Sequence, residues 1–302
     1  MVDAPNHTLV SPVPEIFSES PSRYYDRLAT LPFRDPAPPR YLLESLSRVV
    51  ERRFLLYQFV RRELSLRYKQ TLLGIGWALF QPLSAMVLFT IVFGRFLNVD
   101  SEGAPYAVFV LSGLVPWTFF SAGLINGSQT VVAASGIIGK VPFPPELLPI
   151  SGVLVACVDF LISGTILFVM LVLTGRPISF WYFLLPVLTL LQIALTLSLA
   201  FIFSALNVQY RDVRYVLPFL MPLLMYAMPI GYSFDAIPAE WRMPVVILNP
   251  MAALIDSYRK ILLSGVSPRW HYLGLATAEI LLLLWAGYKF FKNRERAFAD
   301  VI

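Results

Sequence analysis

Charge is scarce in this chain of 302 residues. Asp, Glu, Lys and Arg together make up 14%, against ~25% in a typical soluble protein. Cysteine occurs once, at Cys157, which excludes a disulfide framework and any cysteine-based zinc or iron–sulfur site. Histidine occurs only as His7 and His271, so histidine-rich metal catalysis is excluded and no metal site is expected. A nucleotide-binding P-loop needs G-x-x-x-x-G-K-[ST] after a strand. The closest string, GIIGKV at Gly136–Val141, has the wrong spacing and no hydroxyl. Neither a nucleophile elbow nor an H-E-x-x-H helix is present. The chain is not expected to be an enzyme.

What is abundant is apolar surface. Hydrophobic residues make up 57% and the chain carries 23 Phe, 14 Tyr and 6 Trp, with a mean hydropathy of +0.67. No water-soluble fold of this size hides that many aromatics, so the composition describes an all-α polytopic membrane protein. The formal net charge of +5 points to basic flanks facing anionic lipid, not to nucleic acid.

The first 40 residues differ from the rest. They hold Pro5, Pro12, Pro14, Pro21, Pro32, Pro36, Pro38 and Pro39 and no apolar run of signal-peptide length, and are expected to be a disordered cytoplasmic tail. Residues 41–73 then turn helical. Leu42, Leu46, Val49, Phe54, Tyr57, Leu64 and Tyr68 recur at three- and four-residue steps, with Arg52, Arg53, Arg61, Arg62, Arg67 and Lys69 between them. Such an amphipathic helix lies in the membrane interface with its basic heads in water. It is either a plain positive flank or a docking element.

Six stretches are apolar enough to cross a bilayer, at about 20 residues each. They cover about 76–97, 106–125, 147–173, 180–206, 215–232 and 272–291, within a membrane domain spanning 74–302. An even number places both termini on one side. Thirteen basic residues flank that side: six within 51–73, then Lys140, Arg211, Arg214, Lys289, Lys292, Arg294 and Arg296. Six flank the other: Arg95, Arg176, Arg242, Arg259, Lys260 and Arg269. The termini are therefore expected to be cytoplasmic.

The cytoplasmic loop 126–146 contains a possible short helix at Ala133–Val141, stopped by Pro142, Pro144 and Pro145. The outer segment 233–271 is more than loop. Asn249-Pro250 supplies a cap and a proline at the first helical position, and Gly265 supplies a stop. Met251, Leu254, Ile255, Tyr258, Ile261 and Leu262 make an apolar face between them. That run is too short to span, which predicts an interfacial or re-entrant helix. Pro238–Met243 is a second short candidate.

Carboxylates inside spans are expensive and invite a functional reading. Asp159 falls near the middle of the third span and Glu279 in the outer half of the sixth. They are either a proton relay or bundle-facing groups hydrogen-bonded to Ser, Tyr or backbone. Proline breaks at Pro82, Pro116, Pro218, Pro222 and Pro229 share their spans with Phe80, Phe89, Phe93, Trp117, Phe119, Phe120, Phe219 and Tyr226. Aromatic faces suit the C–H faces of sugar rings. They also pack against lipid and one another, and composition leaves both uses open.

The string RELSLRYKQTLLGIGWALFQP, Arg62–Pro82, resembles the permease subunit of type-2 ABC exporters that move polysaccharides and polyol phosphates. Arg62, Leu64, Arg67, Tyr68, Thr71, Leu73, Gly74, Trp77 and Pro82 fall on that family's R-x-L-x-x-R-Y-x-x-[ST]-x-L-G-x-x-W-x-x-x-x-P. PYAVFVLSGLVPWTFFS, YRDVRYVLPFLMP, NPMAALIDSYRKILL and the closing FKNRERAFADVI follow in the family's order. The likeness runs from Tyr41 to Ile302; the proline-rich tail lies outside it. It implies a homodimer of permeases with two separate ABC ATPase subunits, ATP and magnesium being held by those partner chains. It also implies a lipid-linked glycan substrate (O-antigen, capsule or teichoic-type polymer) and a place in the bacterial inner membrane. The loop 126–146 would carry the coupling helix, with Ile137, Ile138, Gly139, Lys140 and Val141 facing the ATPase. Arg61, Arg62, Arg67 and Tyr68 would flank it. The pore would run along the dimer axis between the first and fifth spans, lined from among Trp77, Phe80, Phe89, Phe93, Trp117, Phe119, Phe120, Phe219 and Tyr226.

Three rivals stand beside this reading, the first from the same superfamily and the other two from different classes. A type-2 permease for drugs or small lipids would need less aromatic density. An enzyme acting on lipid-linked sugars would need accessible paired carboxylates, and only the deep Asp159 and Glu279 are offered. A proton-coupled transporter would use that pair, but no internal repeat is evident.

Overall fold

A computed structural model describes residues 51–68, 74, 76–138, 143–295 and 298. The tail at 1–40, the start of the 41–73 segment, and Gly139, Lys140 and Val141 lie outside the described residues. Among those described, all regular structure is helical. In chain order the helices are α1 (Arg53–Tyr68), α2 (Gly76–Phe89), α3 (Tyr106–Ala133), α4 (Leu147–Leu173), α5 (Leu185–Gln209), α6 (Val213–Ala227), α7 (Ala239–Leu248), α8 (Met251–Arg259) and α9 (Trp270–Glu295). Two of them change pitch at their ends: α2 continues as a π-helix over Thr90–Phe96 and α8 over Lys260–Ser264. Single-turn 3-10 pieces precede α5 and α7.

Five helical stretches are long and apolar enough to cross a membrane, and α6 is a shorter apolar helix. The centre of the bundle is α3, with 78% of its apolar window buried, whereas the α2 stretch has 11%. Helices α4 and α5 pack along α3, and α9 packs along α5. Helix α6 buries only Leu217 and Met221. The first and fifth apolar helices are thus the poorly covered ones.

The approach of α4 to α3 depends on two glycines. A Cβ added to Gly152 would stand 2.8 Å from Cα and N of Gly127, which no side chain tolerates, so backbone meets backbone there in the small-residue manner of membrane helices. Gly152→Val is expected to force the two helices apart and destabilise by about 1–3 kcal/mol. The readout is the melting temperature of detergent-purified protein. Gly164→Ala, on the same helix with nothing within 4 Å, should leave it unchanged; equal behaviour of the two variants would refute the argument.

Two helix ends differ from the sequence pattern. Helix α3 runs to Ala133, two turns into the stretch expected to be loop. Its polar residues do not stop it because their hydroxyls return to the helix itself: Ser128 donates to the Ile125 carbonyl at 2.7 Å and Thr130 to that of Gly127 at 2.8 Å. The short helix expected from Ala133 is turn at 134–138 instead. In the other direction, α6 stops at Ala227, five residues short of the expected end. Met228 precedes Pro229 and is extended, φ −85° and ψ 152°, as sterics before proline require.

The outer segment forms as its cap residues dictate. The Asn249 side chain accepts from the Met251 amide at 3.0 Å, and Gly265 ends the run at φ 65° in the left-handed region. Every residue of α8 is buried. Helix α7 extends beyond the expected Met243 to Leu248, passing through Pro244.

Candidate functional site

The aromatic residues expected to line a path separate into two sets. Trp117, Phe119 and Phe120 on α3 are buried within the protomer, at 2%, 2% and 3% exposure. Trp77 and Phe80 on α2, and Phe219 and Tyr226 on α6, are half or more exposed. The link between the helices is a stack. The Phe89 ring lies 5.2 Å from that of Phe93 and 5.9 Å from that of Tyr226, almost parallel to the latter at 8°. Phe89 itself is buried. Trp77 and Phe80 meet edge to face at 5.5 Å. Helices α2 and α6 therefore each leave aromatic rings uncovered, and the Phe89–Tyr226 stack joins the two helices.

Next to α2, α1 is tied to α4. Arg67 Nη1 stands 2.9 Å from Asp159 Oδ2, and the Tyr68 hydroxyl donates to the Asp159 carboxylate. These groups border a cavity of about 210 Å³ that Trp77, Gln81, Phe119 and Phe160 also line. The sequence offered no cation for Asp159, because Arg67 was assigned to the cytoplasmic surface. The structure corrects this: a charged partner and a hydroxyl hold the carboxylate. Glu279 takes no part in that cavity, and its Oε2 has no hydrogen-bond partner among the described residues. The expectation that Ser, Tyr or backbone would satisfy both carboxylates thus holds in part for Asp159 and fails for this oxygen of Glu279.

At the other end of the bundle the key group is Arg259, fully buried in α8. Its Nη1 donates to the carbonyls of Pro229 at 2.6 Å and Tyr232 at 2.9 Å. Its Nη2 donates to the Ile230 carbonyl, and the guanidinium lies 3.9 Å from the centre of the Phe109 ring. These carbonyls belong to the stretch where α6 has unwound. Buried backbone carbonyls need donors, and one side chain satisfies three of them. Burial pulls the guanidinium down to about 10, so it remains charged at neutral pH.

A charged cluster sits beside it. Glu102, in the turn between α2 and α3, accepts from the Ser233 hydroxyl and from Lys260 Nζ at 3.3 Å. Asp235 accepts from Arg269 Nη2 at 2.7 Å, and Arg242 lies 3.4 Å from the same carboxylate. Burial pushes the Asp235 carboxyl up, but Arg269, Lys260 and Arg242 together hold it below its ordinary value. Asp256 ends above its ordinary value because burial, helped by the neighbouring Glu102 and Asp235, outweighs Arg269 and Lys260. The cluster joins the turn after α2, the segment before α7, and the entries to α7 and α9.

On the opposite side, Ile137, Ile138 and Phe143 of the loop between α3 and α4 pack into a second apolar cluster with Phe59 of α1 and Phe291 of α9. Arg61 and Arg62 are exposed on α1. Sequence reasoning counted Lys292 only as a basic flank and missed its partner Glu146, whose side chain meets it at 2.7 Å beside that loop.

A bundle of five helical stretches long and apolar enough to cross a membrane defines a multi-pass membrane protein. The sequence profile of the ABC-2 type transporter family matches residues 55–263, and the chain belongs to that family. It is 32% identical over 251 residues to the O-antigen export system permease protein RfbA of Myxococcus xanthus, across 83% of this chain and 96% of that protein. A Klebsiella pneumoniae protein of the same name is 28% identical over 249 residues, 82% of this chain and 95% of that one. The polysialic acid transport protein KpsM of Escherichia coli is 23% identical over 237 residues, 78% and 92% of the two chains.

Proposed function

We propose that the chain is the membrane-spanning permease of an exporter that moves a lipid-linked surface polysaccharide across the bacterial cytoplasmic membrane. Hydrolysis of ATP with magnesium on a separate nucleotide-binding subunit drives it. The observation that carries this reading is the likeness to named O-antigen export permeases over nearly their whole length. Two permeases pair with two ATPase subunits, and both termini lie in the cytoplasm. Six crossings result, with α6 as the fifth. Helix α1 lies in the inner interface, and the α7–α8 segment re-enters from outside.

The exposed rings of α2 and α6 support a path at the contact of two copies. Trp77, Phe80, Phe219 and Tyr226 would otherwise face lipid, where nothing requires them to be aromatic. Rings that bury sugar C–H faces without fixing one hydroxyl pattern suit a polymer that must slide. The loop holding Ile137 and Ile138, flanked by Arg61 and Arg62, is where force from the ATPase enters.

Affinity purification of the tagged chain in mild detergent tests the reading, and should yield a stoichiometric P-loop ATPase with ATP hydrolysis. Depletion of the chain in cells should cause a lipid-linked glycan to accumulate inside. Purification of a stable, ATPase-free species would sink it. The path is tested by Tyr226→Ala with Phe219→Ala, both exposed, in place of the buried Phe89. At about 1 kcal/mol for each of the two rings, export should fall roughly thirtyfold with assembly intact. Unchanged export would remove these rings from the path.

A further inference from the structure

The closing stretch of the chain makes contacts that the exporter reading does not use. Phe298 is 2% exposed, and its ring meets that of Phe291 at 5.3 Å, which meets Phe201 of α5 at 5.3 Å. The same apolar cluster takes in Ile137, Ile138 and Phe143 of the loop, and Phe59 of α1. Phe59 and Phe143 stand 5.5 Å apart. Beside the cluster, Lys292 Nζ donates to Glu146 Oε2 at 2.7 Å and to Glu295 Oε2 at 2.6 Å. The Glu146 side chain is 1% exposed. Glu146 is the last residue of the loop, immediately before α4.

Residues 288, 291 and 295 recur at three- and four-residue steps, so one face of α9 carries Tyr288, Phe291 and Glu295. A carboxylate this far from water is costly unless it is well paired. Apolar side chains would join two helix ends at lower cost. What a charge pair adds is register: it holds at one relative position and cannot slide as an oily contact can. The loop has apolar packing against α1 and α9, and a buried charge pair at its far end.

We infer that Lys292 and Phe298 form a brace that fixes the two described ends of the loop, 134–138 and 143–146, in the position from which the loop takes force from the ATPase. Lys292, Glu146 and Phe298 are positioning residues, and they act through the loop. This rests on the reading that the loop meets an ATPase. When the loop is driven, the load passes through Glu146 to Lys292 and into α9 as well as into α3 and α4. An unbraced loop yields under the same push, so ATP is hydrolysed without matching movement of the bundle.

The test uses the whole complex with its ATPase, carrying Lys292→Gln, Glu146→Gln, Phe298→Ala, the exchange Lys292→Glu with Glu146→Lys, or the conservative Lys292→Arg. Subunit stoichiometry, ATP hydrolysis and glycan export are read for each. The single variants are expected to keep the ATPase bound while ATP hydrolysed per glycan exported rises about fivefold or more. Lys292→Arg should keep that ratio near wild type, and the exchange should restore it when combined with Glu295→Gln, which removes the second carboxylate beside position 292. A purely structural role would lower the amount of assembled complex and leave the ratio unchanged in what remains, and that result overturns the brace. A wild-type chain that brings down no ATPase overturns the exporter reading instead, before any substitution is made.

Discussion

Arg259→Met is expected to abolish accumulation of the folded protein in the membrane, or to lower its melting temperature by more than any other single substitution in α7 or α8. The guanidinium donates to the carbonyls of Pro229, Ile230 and Tyr232 from a fully buried position. Methionine fills the volume but leaves three carbonyls of an unwound helix end without donors. A hydrogen bond to a charged group contributes about 1.5–3 kcal/mol, so a loss on the order of 4 kcal/mol follows even with relaxation. Lysine keeps the charge without the planar fork that serves several carbonyls at once, so Arg259→Lys should fall between the two. Thermal unfolding followed by size-exclusion chromatography in detergent orders the three proteins. A methionine variant that melts with the wild type would show that the α6 end is held by something else.

Arg259 also marks the limit of what the sequence reveals. The α8 face was legible because Met251, Leu254, Ile255, Tyr258 and Ile261 repeat at helical spacing between an Asn-Pro cap and a glycine stop. All five are buried. Arg259 lies four residues beyond Ile255 on the same stripe, and that placement was the available sign that it points inward. A charge tally treats every arginine outside a span as a surface flank, and so hid it. What the guanidinium binds was not legible at all. Its acceptors are carbonyls about 30 residues away, freed by a proline break whose consequence depends on tertiary packing.

The aromatic set shows a second limit. Helix α3 is apolar on all sides, and periodicity gives no direction when a helix has no polar face. Trp117, Phe119 and Phe120 therefore looked like Trp77 and Phe80 until the bundle placed the first three inside it. The end of α3 was hidden for a different reason. Asn126–Thr130 resembles the start of a loop, yet Ser128 and Thr130 satisfy their hydroxyls on the helix, and Asn207 of α5 donates to the Ser128 carbonyl at 3.0 Å. Polar residues mark a helix end only where the neighbouring helix has nothing to offer them.

Asp159 separates the exporter from a proton-driven rival. As a latch, its carboxylate holds α1 to α4 through Arg67 and Tyr68, and its charge matters only through that contact. Arg67→Ala and Asp159→Ala should then each reduce export. The double variant should be no worse than the more damaging single one, because the two remove one interaction. The coupling energy is expected to be about 1 kcal/mol, toward the lower end for contacting residues, since the Arg67 side chain is 37% exposed and solvent screens the pair. Asp159→Asn keeps an acceptor for the Tyr68 hydroxyl and should be milder than Asp159→Ala. As a proton carrier, Asp159 would behave otherwise. Asparagine cannot take up and release a proton, so Asp159→Asn would be as inactive as alanine, Arg67→Ala would add its own separate loss, and a protonophore would stop export while ATP remained high. The latch predicts export that persists when the proton gradient is collapsed at constant ATP. Loss of export under that condition, with Asp159→Asn inactive, would reject the latch and return the carboxylate to the reaction itself.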